Sequence, residues 1–357
     1  MPPVARASEI VSVIAIAAAA VLIAAMVTVA DDPPALATPS DCKEAITDSG
    51  LAQAALDSAR PGSRVCLSGN GLSQAELTMA VSGTPDEPIV VSGKNAVLRG
   101  LDVEADHIVV EGLTFVDGSG LTLQGAGYVV RDNLLRGAGS DGILCEPCTD
   151  AVIERNTVHG TDGTGIRIQG DRIAVRDNTV TGSVKKAASD ADGIRFFGTA
   201  LRITGNTVRD IKDDYPGLPE DERPHTDCFQ TFDDDSPTTY DVVISGNTCT
   251  NVDAQCLIGT ANERGNAGVP AGVRSIIFAD NRCDVEGSQA VYLEKYGNVE
   301  VRGNVLLGHF LYAGVKAFDH STDVSVIDNR VRTGVPPVEV DSSSMPGFVE
   351  SGNTVIG

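Results

Sequence analysis

The sequence predicts an all-β fold: one right-handed parallel β-helix of about nine to eleven coils behind an N-terminal capping helix. Three observations predict it. Asn recurs nine times in one short frame: RDNLL at Asn133, ERNTV at Asn156, RDNTV at Asn178, TGNTV at Asn206, SGNTC at Asn247, ADNRC at Asn281, RGNVL at Asn304, IDNRV at Asn329 and SGNTV at Asn353. The intervals are 23, 22, 28, 41, 34, 23, 25 and 24 residues. The units are rich in Val, Ile, Thr and Gly and alternate as strands do, in GIRIQG and RIAVRDN. Only one stretch, residues 41–60, reads as a helix. A unit of this length fits three short strands and three turns, and successive units then stack as parallel sheets. Asn suits a turn because it tolerates the left-handed region, and nine stacked amides can bond one another along the axis.

Taken in order, residues 1–37 form a leader. Ile10 to Ala30 is an apolar run after Arg6. Two outcomes stay open: a secretory signal cut after the AxA site at Ala35 to Ala37 or after Ala30, or an uncut membrane anchor. Both place the body, residues 38–357, outside the cytoplasm, secreted or anchored, with the membrane touched only through this segment. The cap occupies 41–66: the helical stretch breaks at Pro61-Gly62 before the strand RVCL, and it would cover the otherwise open end of the solenoid. A monomer is expected.

Composition narrows the partners. The net charge of −22 offers no basic stripe to displace counterions, which excludes nucleic acid as a partner class. Aromatics are 4% and Trp is absent, as a narrow core of stacked aliphatic side chains requires.

Eight cysteines in an exported chain predict disulfides. Cys249 and Cys283 each lie two residues after their coil's Asn, so they stack. Cys228 and Cys256 share another register, one coil apart. Stacked strands about 4.8 Å apart fall inside the Cα window of a disulfide. The expected pairs are therefore Cys249–Cys283 and Cys228–Cys256, with Cys42–Cys66 stapling the cap and Cys145–Cys148 closing the CEPC segment. No βαβ context supports a redox motif there, and no second Cys/His pair supports zinc.

A second register runs upstream of each Asn, through DGILC, TGIRI, DGIRF, DCFQT, QCLIG, QAVYL and AGVKA. With Ile143, Ile166, Ile194, Phe229, Leu257, Val291 and Val315 pointing inward, the next residues point out: Leu144, Arg167, Arg195, Gln230, Ile258, Tyr292 and Lys316. The strands open on Asp141, Thr164, Asp192, Asp227, Gln255, Gln289 and Ala313. Four insertions, at 180–191, 209–226, 232–240 and 259–272, flank this strip on consecutive coils. Insertions gathered on one face of a repeat protein mark a binding groove.

The segments AALDSARPGSRVCLSGNG, SGTPDEPIVVSGKNAVLRG and HIVVEGLTF, between Leu51 and Gly112, resemble the opening of the pectate-lyase-like and chondroitinase B-like β-helix proteins. With the Asn repeats, the resemblance spans most of the chain. It implies that the outward strip carries the groove and that the ligand is a polysaccharide. Three readings stay open. In a lyase, Asp190, Asp192 and Asp227 hold Ca²⁺ against a uronate, and a base comes from Lys316, Lys295, Arg195 or Arg167, as Lys or Arg commonly serves in those families. In a hydrolase, Asp192 and Asp227 act as acid and base. DADG and TDC look like the NTD and DDC segments of polygalacturonases, although the Gly-His-Gly and Arg-Ile-Lys elements are missing. In the third reading the groove only binds glycan. Two carboxyls about 5 Å apart on adjacent coils cannot both ionise cheaply. His225 stands two residues from Asp227. Gln230, Arg167, Tyr292 and Lys295 are the expected substrate contacts, and Asp213, Asp214 and Asp233 to Asp235 lie nearby.

Overall fold

The computed structural model describes residue 42 and residues 44–357, except 185–189, 214–222, 234–237 and 263–268. The leader at 1–37 and Asp214, Asp234 and Asp235 lie outside the described residues. The four omitted internal segments all belong to the insertions named above.

The chain winds as a parallel β-solenoid whose strands each pair with the strand one coil before and one coil after. The first sheet runs through Glu76–Met79, Val97–Val103, Thr114–Ala126, Ile143–Glu154, Ile166–Arg176, Ile194–Thr204, Phe229–Asp233, Leu257–Ala261, Gln289–Glu294, Ala313–Phe318 and Val338–Val340. Every pairing is parallel, so a residue keeps one facing along the whole sheet. The interior is a stack of Val, Ile, Leu and Phe from Leu67 to Val331.

The Asn frame becomes a continuous hydrogen-bond ladder. Asn206 Oδ1 accepts from the main-chain N–H of Asn178 at 2.9 Å and from its Nδ2 at 3.0 Å. Asn206 Nδ2 donates to Val175 O at 2.9 Å and to Asn247 Oδ1 at 3.0 Å. The same pattern links Asn133 to Asn156 and Asn329 to Asn353. One expectation is corrected here: the left-handed residue is the one before the Asn, as at Asp132, Asp177, Gly205 and Asp328, all with φ between 54° and 66°. That turn aims the amide inward, and Gly or Asp at that place is what a positive φ favours.

The helix spans Ser49–Asp57, shorter than the 41–60 expected. Asp48 caps it by accepting from Leu51 N, and Ile46 is instead drawn into a bridge beside Leu67. Ala52 and Leu56 bury against the first coil. Gln53 accepts from Thr78 N at 3.0 Å and donates to Thr78 O at 2.9 Å, which satisfies the first sheet's outermost strand. No helix among the described residues is long and apolar enough to cross a membrane.

Cys42–Cys66 and Cys145–Cys148 are paired as expected. The other two expected pairs are not formed. Cys228 bonds Cys249 and Cys256 bonds Cys283, each within one coil. The register itself holds, since Cys249 and Cys283 are partners on adjacent strands. Side chains stacked on neighbouring parallel strands point the same way, so their Cβ atoms do not converge as a disulfide requires. Across the coil they do. A Cβ at Gly142, Gly165 or Gly193 would meet Val158, Val180 or Val208 of its own coil at 2.5, 2.2 and 2.4 Å. Cys228 and Cys249 occupy those same two places one coil on, opposite each other. With no free cysteine among the described residues, the disulfides suit an extracellular, oxidising environment.

Candidate functional site

The outward column of the first sheet stands as the alternation required. Leu144, Arg167, Arg195, Gln230, Ile258, Tyr292 and Lys316 are successive partners in register. Arg167, Arg195 and Gln230 therefore occupy three consecutive coils. Arg167 stacks over the Phe197 ring at 5.9 Å and Arg195 over Phe232 at 5.7 Å, while the two rings meet edge to face at 4.9 Å. The aromatics hold both guanidinium planes in place.

Beneath the arginines lie the two carboxyls. Asp192 and Asp227 open adjacent strands and are both 0% exposed. Asp192 Oδ1 accepts the main-chain N–H of Asp227 at 3.0 Å, and Asp227 Oδ1 accepts that of Gln255 at 2.7 Å. Asp141 does the same for Thr164. Arg195 donates from Nε to Asp192 Oδ2 at 3.0 Å, bonds it again through Nη2, and reaches Asp190 Oδ2 at 3.1 Å. Burial pushes the Asp192 carboxyl up to about 6 against the pull of Arg195. Asp227 is held well above the ordinary carboxylate range by burial and by the charge of Asp192. Two carboxyls this close do not both ionise cheaply, and Asp227 is the one that burial and its neighbour's charge push toward the neutral form.

Six buried side-chain atoms among the described residues lack a hydrogen-bond partner, and five belong to this patch: Thr164 Oγ1, Arg167 Nε, Thr226 Oγ1, Asp227 Oδ2 and Gln230 Oε1. Buried polar atoms are nearly always paired, so orphans gathered on the two coils that flank Arg195 mark this patch out from the rest of the described residues. Sequence reasoning missed Thr164 and Thr226 as contributors: Thr164 stands in the strand-opening column and Thr226 closes the insertion just before Asp227.

The remaining expected residues scatter. His225 is exposed, and its carbonyl accepts from Ala191 N at 3.2 Å, which fixes it on the rim beside the Asp192 coil. Tyr292 and Lys316 are on the strip but above the cluster; Lys316 is four coils from Arg195, about 19 Å at strand spacing. Lys295 sits past its strand's end in a left-handed turn, 3.5 Å from Asp319, and not on the strip. The Ca²⁺ set expected at Asp190, Asp192 and Asp227 does not fit this arrangement, because the cation that Asp190 and Asp192 face is Arg195 itself. Among the described residues, the group of three metal-type side chains that draws together is Cys228, Cys249 and Cys256, and their sulfurs are in disulfides.

The sequence family described as right handed beta helix region matches residues 90–208 and 119–331. This chain belongs to that family. Among the curated proteins none matches this β-helix by sequence. Among solved structures it is similar to an alginate lyase from Paenibacillus, at 15% identity and a TM-score of 0.52, over 87% of this chain and 98% of that one. It is also similar to the tailspike of Escherichia coli bacteriophage HK620 in complex with a pentasaccharide, at 11% identity and a TM-score of 0.56, over 88% of this chain and 64% of that one. A third is the catalytic unit of an α-1,3-glucanase from Streptomyces thermodiastaticus, at 15% identity and a TM-score of 0.54, over 89% and 70% of the two chains. At these identities the likeness is one of fold.

Proposed function

We propose that this β-helix lays an acidic polysaccharide along its first sheet and cleaves it by β-elimination at the rungs of Arg167, Arg195 and Gln230. The observation that carries the reading is the cluster of unpartnered buried polar atoms on the coils of Arg167 and Gln230, either side of Arg195. A uronate carboxylate is planar, and guanidinium groups meet it with paired donors. Arg167 and Arg195 would supply hydrogen bonds to that carboxylate, which stabilises negative charge and so acidifies the C5 proton. His225, exposed on the rim, is the base that takes the proton. The C5 electron pair forms the C4=C5 double bond, the C4–O bond breaks, and the leaving oxygen takes a proton. Asp192 positions Arg195 and does not itself meet the sugar. That similar folds include an alginate lyase and a pentasaccharide-binding tailspike supports a glycan as the ligand.

One observation favours a second reading, hydrolysis. Asp192 and Asp227 are adjacent and both raised, the pairing that lets one carboxyl act as acid. Ultraviolet absorbance of the unsaturated product separates the two. The secreted body is incubated with polygalacturonate, alginate and a neutral β-glucan, with and without a chelator. Elimination predicts absorbance on a uronate polymer, insensitive to chelation and lost in Arg195→Ala. Reducing ends without absorbance would install hydrolysis instead, and no reaction on any polymer would leave a groove that only binds.

A further inference from the structure

Four coils beyond Arg195 on the same strip, Tyr312, Lys316 and Phe318 make a second assembled surface that the reaction above does not use. Tyr312 and Phe310 are exposed, at 44% and 64%, in a chain with few aromatics. Tyr312 is held firmly for a surface side chain. Its phenol oxygen accepts from Lys316 Nζ at 3.0 Å and is bonded by Gln289 Nε2. The Lys316 ammonium lies 4.9 Å from the Phe318 ring and 5.6 Å from the Tyr312 ring, and Tyr292 packs on Phe318 at 5.1 Å. A fixed ring and a fixed cation are what a uronate residue needs: an apolar face for its C–H groups and a charge for its carboxylate.

We infer that Tyr312 and Lys316 form a distal subsite that grips the same uronate chain several sugars away from Arg195. The inference rests on the groove reading above. The continuity of the outward column commits the occupant, because Arg195, Gln230, Ile258, Tyr292 and Lys316 are successive partners along one line. Both patches present cationic donors on that line in a chain of net charge −22, Arg167 and Arg195 steadied by Glu146, Asp190 and Asp192 and Lys316 beside Glu339 in register, so an anionic polymer has two places to be gripped.

Calorimetric titration with galacturonate and mannuronate oligomers of two and of ten units tests this. Tyr312→Ala weakens the ten-unit chain about tenfold and the two-unit chain less than twofold; Tyr312→Phe retains most of the affinity by keeping the ring. Melting curves of each variant report that the exposed substitution leaves the fold intact. Equal losses at both lengths, or none at either, would overturn the distal subsite while the groove stands. If the unaltered protein binds neither series, the groove reading falls and takes the subsite with it.

Discussion

The main-chain N–H of Asp227 donates to Asp192 Oδ1 at 3.0 Å, tying the buried Asp192 carboxyl to the backbone of the next coil, where the Asp227 carboxyl is buried too. The bond stabilises a charged Asp192 and, through that charge, a neutral Asp227. Both groups hold a proton more tightly folded than unfolded. The Asp192 contribution to stability is therefore fully present below the ordinary value of 3.8 and is lost as pH rises through about 6, and Asp227, also raised, acts in the same direction. The melting temperature should fall between pH 4 and pH 7, and Asp227→Asn should flatten that slope and stabilise the protein at pH 8. A steeper slope in Asp227→Asn would refute the assignment.

Asp192→Asn strips a buried guanidinium of its main partner. Breaking a buried pair from one side costs about 3–5 kcal/mol, although Asp190 remains to moderate it. Adding Arg195→Met should recover much of the loss, because no charge is then left buried. Denaturant titration of the single and double variants measures the recovery, and additive losses would speak against the pair.

The Asn ladder should be strongest in the middle. Asn206→Ala leaves the Asn178 N–H and the Val175 carbonyl unpaired in the interior, a loss of about 2–4 kcal/mol. Asn353→Ala touches a half-exposed last rung and should cost about 1 kcal/mol or less. Urea midpoints of the two variants decide whether the gradient exists.

Cleavage before aspartates under non-reducing conditions separates all four central cysteines. The linked peptides should join Cys228 to Cys249 and Cys256 to Cys283. Recovery of Cys249 joined to Cys283 would restore the stacked pairing.

The fold was legible because its signal is repeated: nine copies of one frame fix coil length, strand phase and the column from Leu144 to Lys316 together. The direction of the two disulfides was not, because register gives a position along the axis but not which neighbour a side chain faces. The clue was Gly193 opposite Val208, a contact whose next copy is Cys228 opposite Cys249. At the site, Arg195, Gln230, Asp192 and Asp227 are legible as a group from their shared registers, but the burial of the two carboxyls is not, because it depends on the bonds that Asp192 and Asp227 make to the main chain of the next coil. Lys295 went astray for a different reason: it lies past the strand's end, where alternation no longer applies.

Two of the four insertions, 232–240 and 259–272, fall inside the rings closed by Cys228–Cys249 and Cys256–Cys283. A protease that severs either segment therefore releases nothing: both ends stay joined through sulfur and through the rungs on either side. In a medium shared with secreted proteases, a cut in either segment leaves the coils on both sides stacked and joined.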